Sequence, residues 1–155
     1  MKKWFCYLFS FFILVADQMS KLWIISRFVP YQPYHVMPMF NLTLAYNTGA
    51  AFSFLSTTGA WHHWFFLGIS LTVSILLAIW IFRTPRSERL QLFALSLILG
   101  GALGNLVDRL TLGYVIDFID IYYKNYHWPI FNIADSAICI GTVLIAIGMY
   151  LQSRR

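Results

Sequence analysis

Charged side chains are scarce in this sequence, at 11% of the 155 residues, whereas hydrophobic residues make up 59%. The mean hydropathy is +0.67. Soluble domains carry about 25% charged residues, so this composition excludes the soluble class. Only six residues are acidic, which makes the position of each one informative. We therefore expect an integral membrane protein with a single domain over residues 1–155.

Cysteine pairs and metal-ligand patterns are also lacking. Cys6 and Cys139 both fall inside apolar runs, which predicts small buried hydrophobic side chains rather than a disulfide or ligand pair. None of the four histidines has metal-ligand spacing with an acid: His35, His62, His63 and His127. We expect no metal site. The net charge of +5 lies at the ends of apolar runs, not on a basic face with stacking aromatics, so we expect no nucleic-acid partner.

Four apolar runs are long enough to cross a bilayer as helices, which takes about 20 residues each. They cover residues 4–23, 64–82, 90–107 and 133–151. The first follows two lysines, as a secretory signal peptide does, but it continues to spanning length and no small-residue cleavage site follows it. The sequence therefore predicts an all-α polytopic membrane protein with four transmembrane helices.

The basic residues predict the orientation, because cytoplasmic loops retain Lys and Arg. Most of them lie on one side of the four runs: Lys2, Lys3, Arg83, Arg86, Arg89, Arg154 and Arg155. Both termini are therefore expected in the cytoplasm. Four of the six acids fall in the opposite, outer half: Asp108, Asp117, Asp120 and Asp135. Carboxylates are costly near hydrocarbon, so this cluster needs either charge partners or a function.

The connection between the first two spans predicts β-structure. In residues 40–46, large apolar side chains alternate with smaller or polar ones, which is the period of a strand with one face on an apolar surface. Residues 47–49 then supply a turn, and residues 51–55 are suited to a returning strand. We predict a small β-hairpin or sheet on the outer membrane surface.

The first span contains an acid and a base four residues apart. Asp17 and Lys21 lie on one face of a helix, in the favourable acid-first order. Two interpretations are open. Either the two residues form an ion pair that neutralises two costly intramembrane charges, or the pair faces a functional site.

The third span ends in a polar stripe. Gly101, Asn105, Asp108 and Arg109 recur at helical spacing, so they share one face, which should point into the bundle or towards water. Polar groups at membrane depth favour a function for Asn105 and Arg109. For Asp108 the alternative is a helix end that frays into the headgroups, and we expect it to support this end together with Arg109.

Two more acids flank the start of the fourth span. Asn132 and Asp135 have the spacing of a capping box, which would be a sufficient role for Asp135 in a soluble protein. Here the acid borders an apolar span and Asp117 lies in the preceding segment, which favours a shared site. Residues 114–121 fit either a helix, in which Asp117 and Asp120 share a face, or a strand, in which they oppose.

Two carboxylates in a partly desolvated site supply an acid and a base together. Like charges a few ångströms apart do not both ionise at low cost, so the pair holds one proton. The ionised member takes a proton from water while the protonated member hydrogen-bonds a substrate carbonyl. Asp117 and Asp135 are the candidates for such a pair, since Ser136 has no evident histidine partner.

Five motifs, in order along nearly the whole chain, resemble the lipoprotein signal peptidase family, signal peptidase II. They are DQMSK at 17–21, YNTGAAFSFL at 46–55, GGALGNLVDRL at 100–110, VIDF at 115–118 and FNIADS at 131–136. The resemblance implies an aspartic endopeptidase of the bacterial inner membrane. Such an enzyme removes the signal peptide from diacylglyceryl-modified prolipoproteins, cleaving before the lipidated cysteine, and needs no metal or cofactor.

The resemblance also implies a catalytic pair, Asp117 and Asp135, near the outer face. The residues expected to bind substrate or support the site are Asp17, Lys21, Asn47, Gly101, Asn105, Asp108, Arg109, Asn132 and Ala134. We expect the lipidated precursor and membrane lipid as partners, and a monomer.

The first alternative is a small proton- or ion-coupled transporter, since intramembrane charges also mark ion paths. A second is a non-catalytic assembly factor. A conduction path needs polar groups through the full thickness of the membrane, whereas here they gather at the outer end, and this argues against transport.

Overall fold

The computed structural model describes residues 2–49 and 61–154. Its elements, in chain order, are α1 (Lys3–Arg27), β1 (Tyr34–Met37), β2 (Phe40–Asn47), α2 (Trp61–Arg83), α3 (Arg89–Thr111), β3 (Val115–Tyr123), β4 (Tyr126–His127) and α4 (Ile133–Ser153). All four helices are long and apolar enough to cross a membrane. The predicted polytopic membrane protein with a small sheet is confirmed at this level. The predicted returning strand at 51–55 lies outside the described residues.

All four helices extend past the apolar runs that predicted them: α2 covers Trp61–Arg83 rather than 64–82, α4 reaches Ser153 rather than 151, and the other two differ most. α1 continues to Arg27 rather than ending at residue 23, and α3 continues to Thr111 rather than 107. The backbone hydrogen bonds of a helix do not stop where its apolar side chains stop, so hydropathy alone places such ends too early. Asp108 and Arg109 consequently lie within α3, in its last regular turn, and the fraying alternative for Asp108 is wrong.

α3 is the central helix of the bundle. In its most apolar stretch 67% of the residues are buried, against 22% or less in the other three helices. Glycines let two neighbours approach it closely: Gly100 lies against the Ser10 carbonyl of α1, and Gly101 lies against the Ala134 carbonyl of α4. Side chains on α3 therefore reach both α1 and α4.

The four strands form one antiparallel sheet in the order β1-β2-β3-β4. β3 resolves the ambiguity of residues 114–121 in favour of a strand, and Val115 to Phe118 are all buried, with Ile116 and Phe118 packed against Ile24 of α1. The sheet packs against the end of α1 through Ile24, Leu44, Ile116 and Phe118. The acids of β3 are thereby brought next to the ends of α1, α3 and α4.

The start of α1 and the end of α4 lie at the opposite end of the bundle from the sheet. The Lys3 ammonium donates a hydrogen bond to the Phe82 carbonyl at the end of α2. Gly148, near the end of α4, lies beside Leu90 at the start of α3. Both termini and the α2–α3 turn therefore share one end.

The two cysteines are free thiols. Cys6 is buried, as the sequence predicts, but Cys139 is exposed on the outside of the bundle. The prediction is wrong for Cys139, because a residue in a membrane-spanning run can face lipid as well as protein, and hydropathy does not distinguish the two sides.

Candidate active site

Asp117 is held on β3 by an amide on each side. Its side chain is 2% exposed. One oxygen, Oδ2, accepts a hydrogen bond from Asn47 Nδ2 at 2.9 Å, and the other, Oδ1, accepts from Asn132 Nδ2 at 2.7 Å. Asn47 ends β2 and Asn132 precedes α4, so the carboxylate is fixed between the sheet and the start of a helix.

Asp135 lies in the first turn of α4 and has two sets of contacts. The backbone N–H of Asp135 donates to Asn132 Oδ1 at 2.8 Å, and the backbone N–H of Asn132 donates to Asp135 Oδ2 at 3.3 Å. These two bonds complete the predicted capping box. Asp135 Oδ1 also accepts from Asn105 Nδ2 at 2.8 Å. The capping role therefore coexists with a contact to the polar stripe of α3.

Asn105 and Asn132 join the two carboxylates. Asn132 Nδ2 donates to Asn105 Oδ1 at 3.1 Å, and Lys21 Nζ donates to the same oxygen at 3.1 Å. An ammonium group only donates hydrogen bonds, so Lys21 requires Asn105 to present its oxygen. The amide nitrogen of Asn105 then points towards Asp135. Lys21 in this way fixes the direction of the hydrogen bond that Asp135 receives.

A buried charge cluster lies behind these amides. Lys21 Nζ is 2.7 Å from Asp17 Oδ2 and 2.8 Å from Asp108 Oδ2, and all three side chains are 2% exposed or less. The ion pair expected between Asp17 and Lys21 is present. The cation that pairs with Asp108 is Lys21, which reaches across from α1, and Arg109 also interacts electrostatically with Asp108.

The same cluster anchors the backbone around the two acids. Asp17 Oδ1 accepts from the Ala134 amide at 2.9 Å, directly before Asp135. Asp108 Oδ2 accepts from the Ile116 amide at 3.0 Å, directly before Asp117. Each buried carboxylate therefore holds the residue that precedes one of the candidate catalytic acids. Removing one partner of such a cluster would leave an uncompensated buried charge, which is strongly destabilising.

Arg109 projects from the end of α3 towards α2. Its Nη1 donates to Ser70 Oγ at 3.2 Å and to the Asn105 carbonyl at 3.3 Å. The guanidinium also interacts electrostatically with Asp135, Asp108 and Asp117. It supplies positive charge beside both candidate catalytic carboxylates.

Asp117 has an unusual titration. Burial, followed by the negative charge of Asp135, raises the pKa of Asp117 to about 7, against the opposing hydrogen bonds from Asn47 and Asn132. Desolvation and a like charge both favour the protonated form. A carboxyl that retains its proton near neutral pH is able to act as an acid there.

Every site residue expected from the sequence belongs to this connected arrangement, including Gly101, which contacts the Ala134 carbonyl. Sequence reasoning missed Gln18, whose Nε2 donates to Asp108 Oδ1 at 2.7 Å, and Ser70, which binds Arg109. Gln18 is next to Asp17 within an apolar run, so its polarity was an available signal. Ser70 gave no such signal, because a serine in a membrane span usually donates to a carbonyl of its own helix, as Ser70 also does to the Phe66 carbonyl.

Comparisons with known proteins point to one family. The family model described as signal peptidase (SPase) II matches residues 9–151. The lipoprotein signal peptidase of Acinetobacter baylyi is 50% identical over 147 residues, covering 94% of this chain and 82% of that protein. That of Alteromonas mediterranea is 52% identical over 136 residues, covering 88% and 75%.

Two solved structures of a bacterial membrane enzyme share the fold. One has a TM-score of 0.83 at 34% identity, covering 96% of this chain and 88% of the other. The second has a TM-score of 0.82 at 35% identity, covering 93% and 91%. With a family model that matches most of its length and relatives at about half identity, the chain belongs to the signal peptidase II family.

Proposed function

We propose that Asp117 and Asp135 are the catalytic pair of this aspartic endopeptidase and that they activate the water that cleaves diacylglyceryl-modified prolipoproteins. The observation that carries the proposal is the pair of acids on separate elements, joined by Asn105 and Asn132 and backed by Lys21. Membership of a peptidase family supplies the reaction class, and lipoprotein signal peptidases are its relatives.

In the proposed mechanism one carboxyl is protonated and the other is ionised. Asp117 donates a hydrogen bond to the scissile carbonyl, and Asp135 takes a proton from the attacking water. The tetrahedral intermediate then collapses as the proton passes to the amine of the lipidated cysteine, which leaves. Arg109 and the amide donors stabilise negative charge that develops in the site.

The site lies where the ends of α1, α3 and α4 meet the sheet, and we place this end at the outer face of the bacterial inner membrane. Acyl chains would anchor the substrate in the bilayer, and their binding energy would help to orient the scissile bond. Water is available at this interface. The sheet would lie on the membrane surface above the substrate, and the chain would act as a monomer.

The experiment that tests the proposal is cleavage of a purified diacylglyceryl prolipoprotein by Asp117→Asn and Asp135→Asn enzymes. Each amide keeps the size of the acid but removes its proton chemistry, so we expect loss of about 10⁴-fold or more in kcat. Glu88→Gln is the matched control, because Glu88 directly precedes α3 at the opposite end of the bundle from the sheet and its side chain makes no capping hydrogen bond to that helix.

Turnover near the wild-type rate in either variant would contradict the assignment, provided that both accumulate in the membrane. Full activity in Glu88→Gln excludes a general effect of neutralising an acid in this weakly charged chain.

A further inference from the structure

A second buried acid lies on β3, outside the candidate active site. Asp120 is 2% exposed. Its Oδ2 accepts hydrogen bonds from Asn41 Nδ2 at 3.2 Å and Thr43 Oγ1 at 3.0 Å, and its Oδ1 lies 2.7 Å from His127 Nδ1. The donors come from β2 on one side and β4 on the other. One carboxylate therefore ties three neighbouring strands together.

These donors keep Asp120 ionised. Burial by itself favours the protonated form, but the hydrogen bonds from His127, Asn41 and Thr43 outweigh it and hold the pKa of Asp120 below its usual range. An ionised carboxylate has only hydrogen-bond acceptors and no donor. Asp120 therefore acts as a fixed acceptor, and it takes no part in the proposed proton transfer.

The pairing of β2 with β3 contains an irregularity between Asp120 and Asp117. Asn41 pairs with Asp120 and Leu42 with Ile119, but the next pair is Ala45 with Asp117. β2 thus advances three residues while β3 advances two, so β2 has one extra residue, as in a β-bulge. Thr43, which donates its hydroxyl to Asp120, lies within this bulge.

The bulge determines which side chains Asp117 meets. Beyond it, Ala45 pairs with Asp117 and Asn47 with Val115. Asn47 reaches Asp117 Oδ2 in this register. A slip of one residue turns every side chain to the other face of a strand, so loss of the bulge would separate Asp117 from Asn47.

We infer that Asp120 is a positioning residue for the hydrolysis reaction: by holding Thr43 in the bulge and His127 on β4, it fixes the register that directs Asp117 towards Asn47 and Asn132. This inference rests on the proposed role of Asp117. Asp120 itself faces away from the pair, since residues three apart on a strand point to opposite faces. The inference adds a residue outside the catalytic network to the requirements of the reaction.

The test compares Asp120→Ala and Thr43→Val with wild-type enzyme in cleavage of a diacylglyceryl prolipoprotein, measuring kcat and KM separately over a range of pH. Thr43→Val keeps the shape of the side chain and removes only the hydroxyl. Thr142→Val is its matched control, because the Thr142 hydroxyl is exposed and donates to the Ile138 carbonyl of its own helix, away from the sheet.

We expect kcat to fall about tenfold or more in Asp120→Ala and several-fold in Thr43→Val, with KM unchanged, since misplacement of a reacting group slows chemistry without removing substrate contacts. Loss of the Asn47 hydrogen bond would also raise the pKa of Asp117 further, because that bond favours the ionised form. The alkaline limb of the profile should therefore move to higher pH in both variants and stay in place in Thr142→Val.

Wild-type kcat in Thr43→Val would overturn the inference, as would a loss of kcat with no movement of the alkaline limb. If Asp120→Ala does not accumulate in the membrane, Thr43→Val alone decides. The proposed function is judged separately by Asp117→Asn: an active Asp117→Asn enzyme contradicts the catalytic pair, whereas an inactive one with normal Thr43→Val contradicts only the role of Asp120.

Discussion

Asp117 and Asp135 occupy unlike environments, and under the proposed mechanism this difference would give each a separate part in the reaction. Asp117 is almost fully buried on a strand, whereas Asp135 is partly exposed in the first turn of α4. The positive end of the α4 dipole stabilises a negative charge on Asp135. Under the proposed mechanism Asp117, whose pKa is raised to about 7, is the member that carries the proton.

The pH dependence of cleavage follows from this assignment. The active form needs a proton on Asp117, whose pKa is raised to about 7 by burial and by the charge of Asp135. We expect kcat/KM to fall as the pH rises through this value, approaching about tenfold per pH unit above it, because the doubly ionised pair lacks its acid. Two pH profiles would show this alkaline limb. With saturating lipidated precursor the profile of kcat reports the enzyme–substrate complex, and with dilute precursor the profile of kcat/KM reports the free enzyme.

Thermal unfolding provides the control for that profile. The pKa of Asp117 is higher in the folded state than in the unfolded chain, so the native state binds the proton more tightly and loses that advantage as the pH rises through about 7. Wild-type stability should therefore fall relative to Asp117→Asn mainly between about pH 4, the ordinary carboxyl pKa, and about pH 7, and the two curves should run parallel above about pH 8. Parallel curves for the two proteins over the whole pH range would show that the alkaline limb belongs to another group.

At the scale of elements, the approach of α3 to α4 sets the position of Asp135. Gly101 lies so close to the Ala134 carbonyl that a methyl group there would overlap a backbone atom. A backbone carbonyl cannot rotate aside as a side chain can. The start of α4 would have to move, and Asp135 would move with it.

We therefore expect Gly101→Ala to lower cleavage by about tenfold or more and to destabilise the protein by about 1–3 kcal/mol. The measurements are cleavage rate and thermal unfolding in detergent. Gly68→Ala is the matched control, because a methyl group at this position of α2 meets no atom of the described residues within 4 Å. Equal activity in the two alanine variants would show that the contact between α3 and α4 does not position the site.

The sequence predicted helices better than strands for a physical reason. A spanning run must be apolar throughout its length, so its hydropathy marks it directly. β3 is central in its sheet and buried from Val115 to Phe118, and a buried strand shows no alternation that separates it from a helix. Its pairing with β2 and β4, and hence its neighbours, depended on the tertiary fold.

Contacts between polar residues that are far apart in sequence also depend on the tertiary fold. The motifs DQMSK, VIDF and FNIADS were sufficient to identify Asp17, Asp117 and Asp135 as candidate site residues, because each motif is contiguous. The contact of Lys21 with Asp108 joins residues far apart in sequence, and no local spacing predicts it. The alternation of Asn41 and Thr43 on one face of β2 was the available signal for the Asp120 cluster, since polar side chains on one strand face need a partner when that face is buried.

At the scale of the whole molecule, polar groups divide between the two ends of the bundle. The sheet end holds the buried acids with Lys21 and Arg109. The other end holds both termini and the α2–α3 turn, where most of the basic residues lie: Lys2, Lys3, Arg83, Arg86, Arg89 and Arg154. Positive charge of this kind is retained in the cytoplasm, so the sheet and the site should face outwards.

Cysteine labelling tests this orientation in the full-length chain. In a version with Cys6 and Cys139 replaced by alanine, single cysteines are placed by Tyr31→Cys, before β1, and by Ser87→Cys, in the α2–α3 turn. Both positions are exposed, and neither change removes a basic residue that sets the topology. We expect a membrane-impermeant maleimide to label Tyr31→Cys in spheroplasts and Ser87→Cys only in inside-out vesicles or after permeabilisation. Cleavage activity of both proteins is the control for correct folding. The reverse labelling pattern would place Asp117 and Asp135 at the cytoplasmic face. It would contradict the proposed site at the outer face of the membrane.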